Sequence, residues 1–223
     1  MKNLKNALML KQLYQLKNLG YDYIDVSLLD NQSDENRILP DTVPQLNTLI
    51  SNCHLCDIAK VRDGVVLARG ESQADVVFVG FKPSLVDSSN RRIMSGSKGE
   101  MLDKIIANVL EIDPKRIYLT NIIKCHPKND KTIQPNEVYS CLNYLYKELQ
   151  ILQPKIVVTM GRESFGYLTH DNIALEEARG QIIPQESFAV MPIYDFNYIL
   201  KNPSLKKELF NDMLRLKAFI HEG

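Results

Sequence analysis

Short apolar runs alternate along this chain with longer amphipathic stretches, and this alternation restricts its fold more than any other feature. Buried strands are predicted at residues 74–80 (ADVVFVG), 116–120 (RIYLT), 155–160 (KIVVTM) and 189–193 (AVMPI). Helices are predicted at residues 99–110, 136–152, 163–168 and 203–219. The order predicts an α/β fold, a three-layer α/β/α sandwich around a central, mainly parallel, four-stranded sheet. Ligands in such sheets bind at the carboxyl ends of the strands.

The first 45 residues differ in character from the rest. Leucines recur at helical spacing over residues 1–20, and a polar stretch follows at residues 30–41. We therefore predict a helical extension and linker at residues 1–45 and a main domain at residues 46–223. The extension either docks on the main domain or serves as a partner-binding arm.

Charge and hydropathy exclude several classes of protein. The 27 Lys and Arg residues balance the 27 Asp and Glu residues, which excludes a grossly basic nucleic-acid protein but not a local basic face. No apolar run approaches the ~18–20 residues that a membrane-spanning helix needs. The N-terminal stretch is too interrupted by polar residues for a signal peptide, so we expect a cytoplasmic protein.

The four cysteines form the second pattern. Cys53 and Cys56 make a C-x-x-C pair, and Cys125 and Cys141 lie far downstream. In the cytoplasm such cysteines are more often ligands or free thiols than disulfides. Four thiolates suit a structural zinc ion or an iron–sulfur cluster. The alternatives are a C-x-x-C of reactive or buried thiols with two core cysteines, or a thioredoxin-like pair, which the position of the motif before the first strand disfavours.

Six segments, in order, resemble the family-four uracil-DNA glycosylases, the iron–sulfur branch of the uracil-DNA glycosylase superfamily. They are LNTLISNCHLCDIAKVRDGVVLARGE, VVFVGFKPS, GSKGEMLDKII, RIYLTNIIKCHP, PNEVYSCLNYLYKELQILQPKIVVTMGRESFGYL and MPIYDFNYILKNPSLKKELFNDM. Together they cover about residues 46–220.

The resemblance implies that Cys53, Cys56, Cys125 and Cys141 hold a [4Fe–4S] cluster with a structural role. It also implies a DNA-repair hydrolase that binds DNA and cleaves the N-glycosidic bond to uracil after flipping the base into a pocket. We expect such a protein to act as a monomer and to bind no membrane.

Three positions depart from the family pattern, and all three belong to the expected pocket. Phe81 replaces the acidic residue of the first loop, although the sister family-five enzymes also lack that acid. Met94 replaces the stacking aromatic, and a methionine gives a weaker, less oriented stack. Asp195 replaces a histidine that assists the departing base, where a carboxylate would repel the developing negative charge.

Other pocket positions are retained. Asn121 matches the asparagine that reads the uracil edge, although a strand-end asparagine can also cap the next loop. Gly80 and Pro83 lie in the first loop, where backbone can approach a ligand closely, or where the same residues serve ordinary turn chemistry.

Basic residues gather in three stretches that the fold would place on one rim. As a DNA phosphate track we predict Arg91, Arg92, Lys98, Lys124, Lys128 and Lys201. The alternative for each is a solvated loop charge.

Two functions of different class follow. The first is a uracil-type DNA glycosylase, weak or altered in base preference. The second is a catalytically inactive iron–sulfur protein that binds DNA or a partner and keeps the glycosylase fold. Asp195 either impairs uracil release or replaces the lost acid by positioning water, and we favour the first interpretation.

Overall fold

The structure is a computed structural model that describes residues 39–128, 132–171 and 173–222. The helix predicted at residues 1–20 lies outside the described residues, as does most of the proposed extension. The boundary at residue 45 therefore stays a prediction. None of the helices in the described part of the chain has the length and hydropathy needed to cross a membrane.

Within the described residues one mixed sheet of six strands forms the centre of the fold. Its strands are β1 (Arg69–Gly70), β2 (Val76–Gly80), β3 (Ile117–Asn121), β4 (Ile156–Met160), β5 (Ile183–Pro184) and β6 (Ala189–Ile193). Their order across the sheet is β1-β3-β2-β4-β6-β5. The four predicted strands are β2, β3, β4 and β6, and they pair in parallel, which confirms the predicted sheet.

The predicted strand count of four was too low by the two edge strands. Each edge strand has two residues and pairs antiparallel with its neighbour, β1 with β3 and β5 with β6. Two residues are too few to produce an alternating or continuous apolar pattern, so nothing in the sequence marked them.

The helices are grouped by chain order around this sheet. They are α1 (Val43–Ser51), α2 (Asp57–Val61), α3 (Leu85–Asn90), α4 (Ser97–Ile105) with a π-helical turn at Ile106–Leu110, α5 (Pro135–Leu152), α6 (Arg162–Thr169), α7 (Leu175–Ala178), α8 (Phe196–Lys201) and α9 (Lys206–Glu222). The predicted C-terminal helix thus begins at Lys206, after a 3₁₀ turn at Pro203–Leu205.

Two hydrophobic cores, one on each face of the sheet, confirm the three layers. Val77 and Val79 of β2 pack with residues of α1, α5 and α6. Val76 and Phe78, which alternate with them, pack with residues of α4, α8 and α9. Because successive side chains of a strand point to opposite faces, a fully apolar strand requires helices on both sides.

The longest helix, α5, begins and ends at signals present in the sequence. Pro135 occupies its first turn, and Gln134 and Glu137 form a capping box. It ends at Gln153, which has a left-handed backbone (φ 47°) and precedes Pro154. This helix matters for function because its first half carries Cys141 and its second half carries Glu148.

Candidate active site and cysteine centre

The carboxyl ends of the parallel strands place the predicted pocket residues side by side. Gly80 and Asn121 are paired in register at the ends of β2 and β3, and Met160 and Ile193 are paired at the ends of β4 and β6. Asp195 follows two residues after β6. This edge opens into a cleft of about 580 Å³, which we call the base cleft.

The base cleft gathers eight of the residues that the sequence singled out. They are Gly80, Phe81, Pro83, Met94, Lys98, Asn121, Asp195 and Lys201. The sequence did not single out four further polar residues that also line it, namely Lys82, His126, Glu163 and Asn197. The placement of the eight follows from the strand-end rule, whereas the other four come from loop and helix positions with no pattern of their own.

Asn121 is the most constrained polar group in the cleft. It is 5% exposed, and its Nδ2 is buried without a hydrogen-bond partner among the described residues. A side chain at position 80 would collide with its Oδ1, so Gly80 leaves the space that the carboxamide fills. A buried amide without a partner is costly, and a ligand that accepts its hydrogen bond removes that cost.

The loop that carries Met94 is organised by one buried carboxylate. Asp87 is fully buried and accepts hydrogen bonds from Ser84 N (2.8 Å) and Ser95 N (2.7 Å), and it pairs with the Lys98 amine. Burial alone raises the pKa of Asp87, but these hydrogen bonds outweigh burial and hold the pKa below its usual value. The Lys98 charge is therefore largely matched inside the protein.

Phe81 is engaged with another aromatic ring. Its ring lies parallel to that of Tyr167, with centroids 5.9 Å apart and an interplanar angle of 7°. It packs against the core on the α5 side of the sheet. The residue that replaces the expected acid therefore forms an apolar wall of the cleft.

Asp195 has a structural role that the sequence analysis did not consider. Its Oδ1 accepts a hydrogen bond from Asn197 N at 2.8 Å and caps the N-terminus of α8. Gly161, whose φ is 94°, lies beside it, since a Cβ on this glycine would stand 3.4 Å from the Asp195 Cβ and 3.8 Å from Glu163 Oε2. Two carboxylates, Asp195 and Glu163, therefore border the wall of the cleft around Gly161.

His126 enters the cleft from the loop after β3. Its Nδ1 lies 3.0 Å from the carbonyl oxygen of Pro83. A carbonyl oxygen can only accept, so Nδ1 carries the hydrogen of this bond. The contact ties the loops after β2 and β3 together across the mouth of the cleft.

The predicted basic residues divide by burial. Arg91 and Arg92 are exposed in the turn after α3, Lys201 is exposed at the cleft, and Lys128 is 54% exposed and 3.2 Å from Asp63. These positions are compatible with phosphate contacts, which stay a prediction.

Lys124 corrects one prediction. It is 1% exposed, and its amine bonds Glu148 Oε2 at 2.7 Å and Thr120 Oγ1 at 2.6 Å. A phosphate cannot reach an amine enclosed in this way, so Lys124 is removed from the predicted DNA contacts. The ion pair was not visible in the sequence because Glu148 lies on α5, far from Lys124 along the chain.

All four cysteines, which all lie within the described residues, line one small and mostly apolar cavity. We call this the cysteine centre, and none of its members forms a disulfide. Cys125 and Cys141 are buried, while Cys53 and Cys56 are half-buried. Arg62 joins the segments, since it donates to Cys125 Sγ at 3.1 Å and to the carbonyl of Ser51 at 3.2 Å.

Burial keeps two of these thiols protonated when nothing is bound to them. It raises the pKa of Cys125, an effect that the Arg62 guanidinium partly offsets, and raises the pKa of Cys141 to about 12. Reactive cysteines have lowered pKa values, so the arrangement does not resemble a thioredoxin-like pair. Across the described ranges, no group of three or more cysteine, histidine or acidic side chains is arranged to hold one metal ion.

Comparison with known proteins identifies the family. The model of the uracil DNA glycosylase superfamily matches residues 67–216. The chain is 26% identical over 185 residues to the type-4 uracil-DNA glycosylase of Sulfurisphaera tokodaii, which covers 79% of this chain and 84% of that protein. It is 27% identical over 176 residues to the type-4 uracil-DNA glycosylase of Saccharolobus solfataricus, with 75% and 82% covered. The chain therefore belongs to the uracil-DNA glycosylase superfamily, which confirms the resemblance seen in its motifs.

A third relative has a different architecture. A DNA polymerase of Bacillus phage SP01 is 26% identical over 156 residues, which make up 70% of this chain but 17% of the polymerase. A segment similar to this domain is thus also found within a much longer protein.

Proposed function

We propose that this protein is a DNA glycosylase that takes a flipped base into the base cleft and hydrolyses its N-glycosidic bond, with weak activity on uracil or an altered base preference. In this reaction the bond from deoxyribose C1′ to the base nitrogen breaks, and its electron pair leaves with the base. Water then supplies a hydroxyl group to C1′ and a proton to the base. Our expectations of a cytoplasmic monomer stay predictions.

The observation that carries the proposal is the buried carboxamide of Asn121. Its Nδ2 points from a strand end into a cleft, is buried and lacks a partner among the described residues. A pyrimidine carbonyl or a purine ring acceptor would satisfy it, and its Oδ1 could accept from a base N–H. Base readers use such hydrogen bonds to the Watson–Crick edge of a flipped base.

The walls of the cleft support a base as the occupant. Phe81 and Met94 offer apolar surfaces, and a planar base needs contact with its faces as well as with its edge. Lys82 and Lys201 bring positive charge to the mouth, where the phosphates of the flipped nucleotide would lie.

The same walls support weak or altered chemistry on uracil. Uracil departs as an anion, and a fast enzyme stabilises that charge with fixed donors. Here the first loop presents Phe81 and the last loop presents the Asp195 carboxylate. A carboxylate near the departing anion raises the barrier in a site of low dielectric.

We further propose that the cysteine centre binds a [4Fe–4S] cluster through Cys53, Cys56, Cys125 and Cys141. A zinc site needs all its sulfurs at ~2.3 Å from one ion, an arrangement that the described side chains do not offer. A four-iron cluster attaches each thiolate to a different iron and so accepts a wider cavity. The apolar wall and the Arg62 hydrogen bond to Cys125 suit cluster sulfur chemistry.

The inactive alternative has one observation in its favour. Phe81 is stacked on Tyr167 and so occupies the acid position with a ring that can neither orient water nor carry a proton. A protein that binds DNA without excision would need only the Asn121 contact and the basic rim.

Release of free base from defined oligonucleotides separates these possibilities. Single-stranded and duplex substrates carrying uracil, hypoxanthine or xanthine are incubated with excess protein, and abasic sites are detected by strand cleavage in alkali. We expect release from at least one substrate and its loss in Asn121→Ala, while Asn108→Ala, an exposed asparagine outside the cleft, keeps the native rate. No release from any substrate, with DNA binding intact, would favour the inactive alternative.

A further inference from the structure

A second cavity adjoins the base cleft and has no role in the proposed hydrolysis. It has a volume of about 410 Å³ and lies between the start of α5 and the helix α6. The two cavities share Glu163. We call it the tyrosine pocket, and the side chains that matter for its chemistry are Tyr139, Arg162, Glu163, Tyr167, His170 and Asp171.

Three aromatic rings connect the two cavities. Phe81 lines the base cleft and stacks in parallel on Tyr167, with centroids 5.9 Å apart. Tyr139 meets Tyr167 edge to face, with centroids 5.8 Å apart and an angle of 80° between the rings. Offset-stacked and edge-to-face pairs are the favourable aromatic geometries, so each ring holds its neighbour in place.

The outermost ring of this series is open to solvent. Tyr139 is 52% exposed although it is large and aromatic. An aromatic ring that is fixed by its neighbours and open on one side is a surface on which a nucleobase can stack without loss of side-chain freedom.

The charges around the tyrosine pocket favour a base over a phosphate. Glu163 and Asp171 oppose a polyanion, and Arg162 is the single arginine of the wall. Carboxylates accept hydrogen bonds from the amino groups of cytosine, adenine or guanine. The pocket thus combines an aromatic face with polar groups for the edge of a base.

We propose that the tyrosine pocket binds an unpaired base of the DNA strand adjacent to the flipped nucleotide, stacked on Tyr139. The proposal rests on the proposed function for the position of the strand, because the base cleft must hold the flipped nucleotide. Phe81 then has a positive role, since it anchors the series of rings that joins the two sites.

Binding measured without excision tests this inference. The probe is a single-stranded oligonucleotide with a tetrahydrofuran abasic analogue, 2-aminopurine at the neighbouring position and a terminal fluorescein for anisotropy. Stacking of 2-aminopurine on a tyrosine changes its fluorescence. We expect Tyr139→Ala to weaken binding about tenfold and to abolish the fluorescence change. We expect Tyr139→Phe, which keeps the ring, to behave as the native protein.

Phe210→Ala is the matched control, because Phe210 is also aromatic and 49% exposed but lies on α9. It should bind as the native protein does. Native-like binding and fluorescence by Tyr139→Ala, or an equal loss in Phe210→Ala, would overturn the inference. The probe contains no scissile base, so failed excision leaves this test intact, and excision by a protein that passes no binding criterion refutes the tyrosine pocket alone.

Discussion

The cysteine centre and the base cleft meet at the end of β3, yet they are built in opposite ways. Asn121 lines the cleft and Cys125 lines the cysteine centre, only four residues apart. The cysteine centre is a closed apolar cavity surrounded by four identical functional groups from distant segments. The cleft is open, and its polar groups are all different.

This difference teaches where each site tolerates change. A four-thiolate site depends on residue identity, because no other side chain replaces a thiolate ligand. A cleft of mixed groups depends on backbone placement at strand ends, so its side chains can change while its position persists. We therefore expect substitutions in the centre to act on folding and substitutions in the cleft to act on chemistry.

Removal of one cysteine is the strongest test of that contrast. Cys141→Ala should lose the cluster, and the segments that it joins should separate, so that soluble protein falls steeply. The native protein purified without oxygen should contain about four irons per chain. Iron analysis and thermal unfolding measure both effects.

Asn143→Ala is the control for this variant, because Asn143 is an exposed residue of the same helix. It should keep both the iron and the native unfolding temperature. Stoichiometric zinc without iron in the native protein would contradict the cluster.

The buried Lys124–Glu148 pair joins the two regions, and breaking it should have the next largest effect. Both side chains are almost fully enclosed. Glu148→Ala leaves the Lys124 charge buried without its partner, so we expect a loss of about 3–5 kcal/mol in the free energy of unfolding. Urea unfolding measures this loss.

Two further variants make the ion-pair test specific. Lys124→Met combined with Glu148→Leu replaces the pair by apolar groups and should recover most of the stability. Glu111→Ala breaks the exposed pair with Lys217 and should change little. Equal effects in Glu148→Ala and Glu111→Ala would show that burial of the first pair does not matter.

Asp195 tests the chemical side of the contrast. If its charge opposes the departing base, Asp195→Asn should release uracil faster, because the amide removes the charge and can still cap α8. Asp195→His adds a donor and should also be faster, by up to about 10²-fold, the scale of one such donor in other enzymes. Single-turnover rates measure this, and unfolding temperature reports the lost cap in the histidine variant.

The opposite result has a definite meaning. If the native protein releases uracil efficiently and Asp195→Asn abolishes that release, then Asp195 positions the water and our favoured interpretation is wrong. Glu163→Gln is a useful companion, since Glu163 borders the same wall beside Gly161.

How much the sequence could predict follows the same division. The four central strands were predictable because each contains five consecutive buried residues, and the strand-end rule then placed Gly80 and Asn121 in one cleft. The enclosure of Lys124 was not, because its partner arrives from another helix. The same holds for the capping role of Asp195 and for the stack of Phe81 on Tyr167, which depend on contacts between loops and helices that carry no periodic signal.

The smallest expected effect concerns the rim, where the two regions should behave alike because neither controls it. Arg91 and Arg92 are exposed in the turn after α3, and if they contact phosphates, each releases counterions when DNA binds. Replacing both by alanine should reduce the slope of log K against log salt by about 1.4 for single-stranded DNA, or about 0.7 for each phosphate contact. Lys155→Ala is the control, since Lys155 immediately precedes β4 and lies at the amino-terminal edge of the sheet, opposite the cleft. Anisotropy titrations over a range of salt concentrations measure the slopes. An unchanged slope in the double variant, or an equal change in Lys155→Ala, would mean that DNA follows another path across the protein.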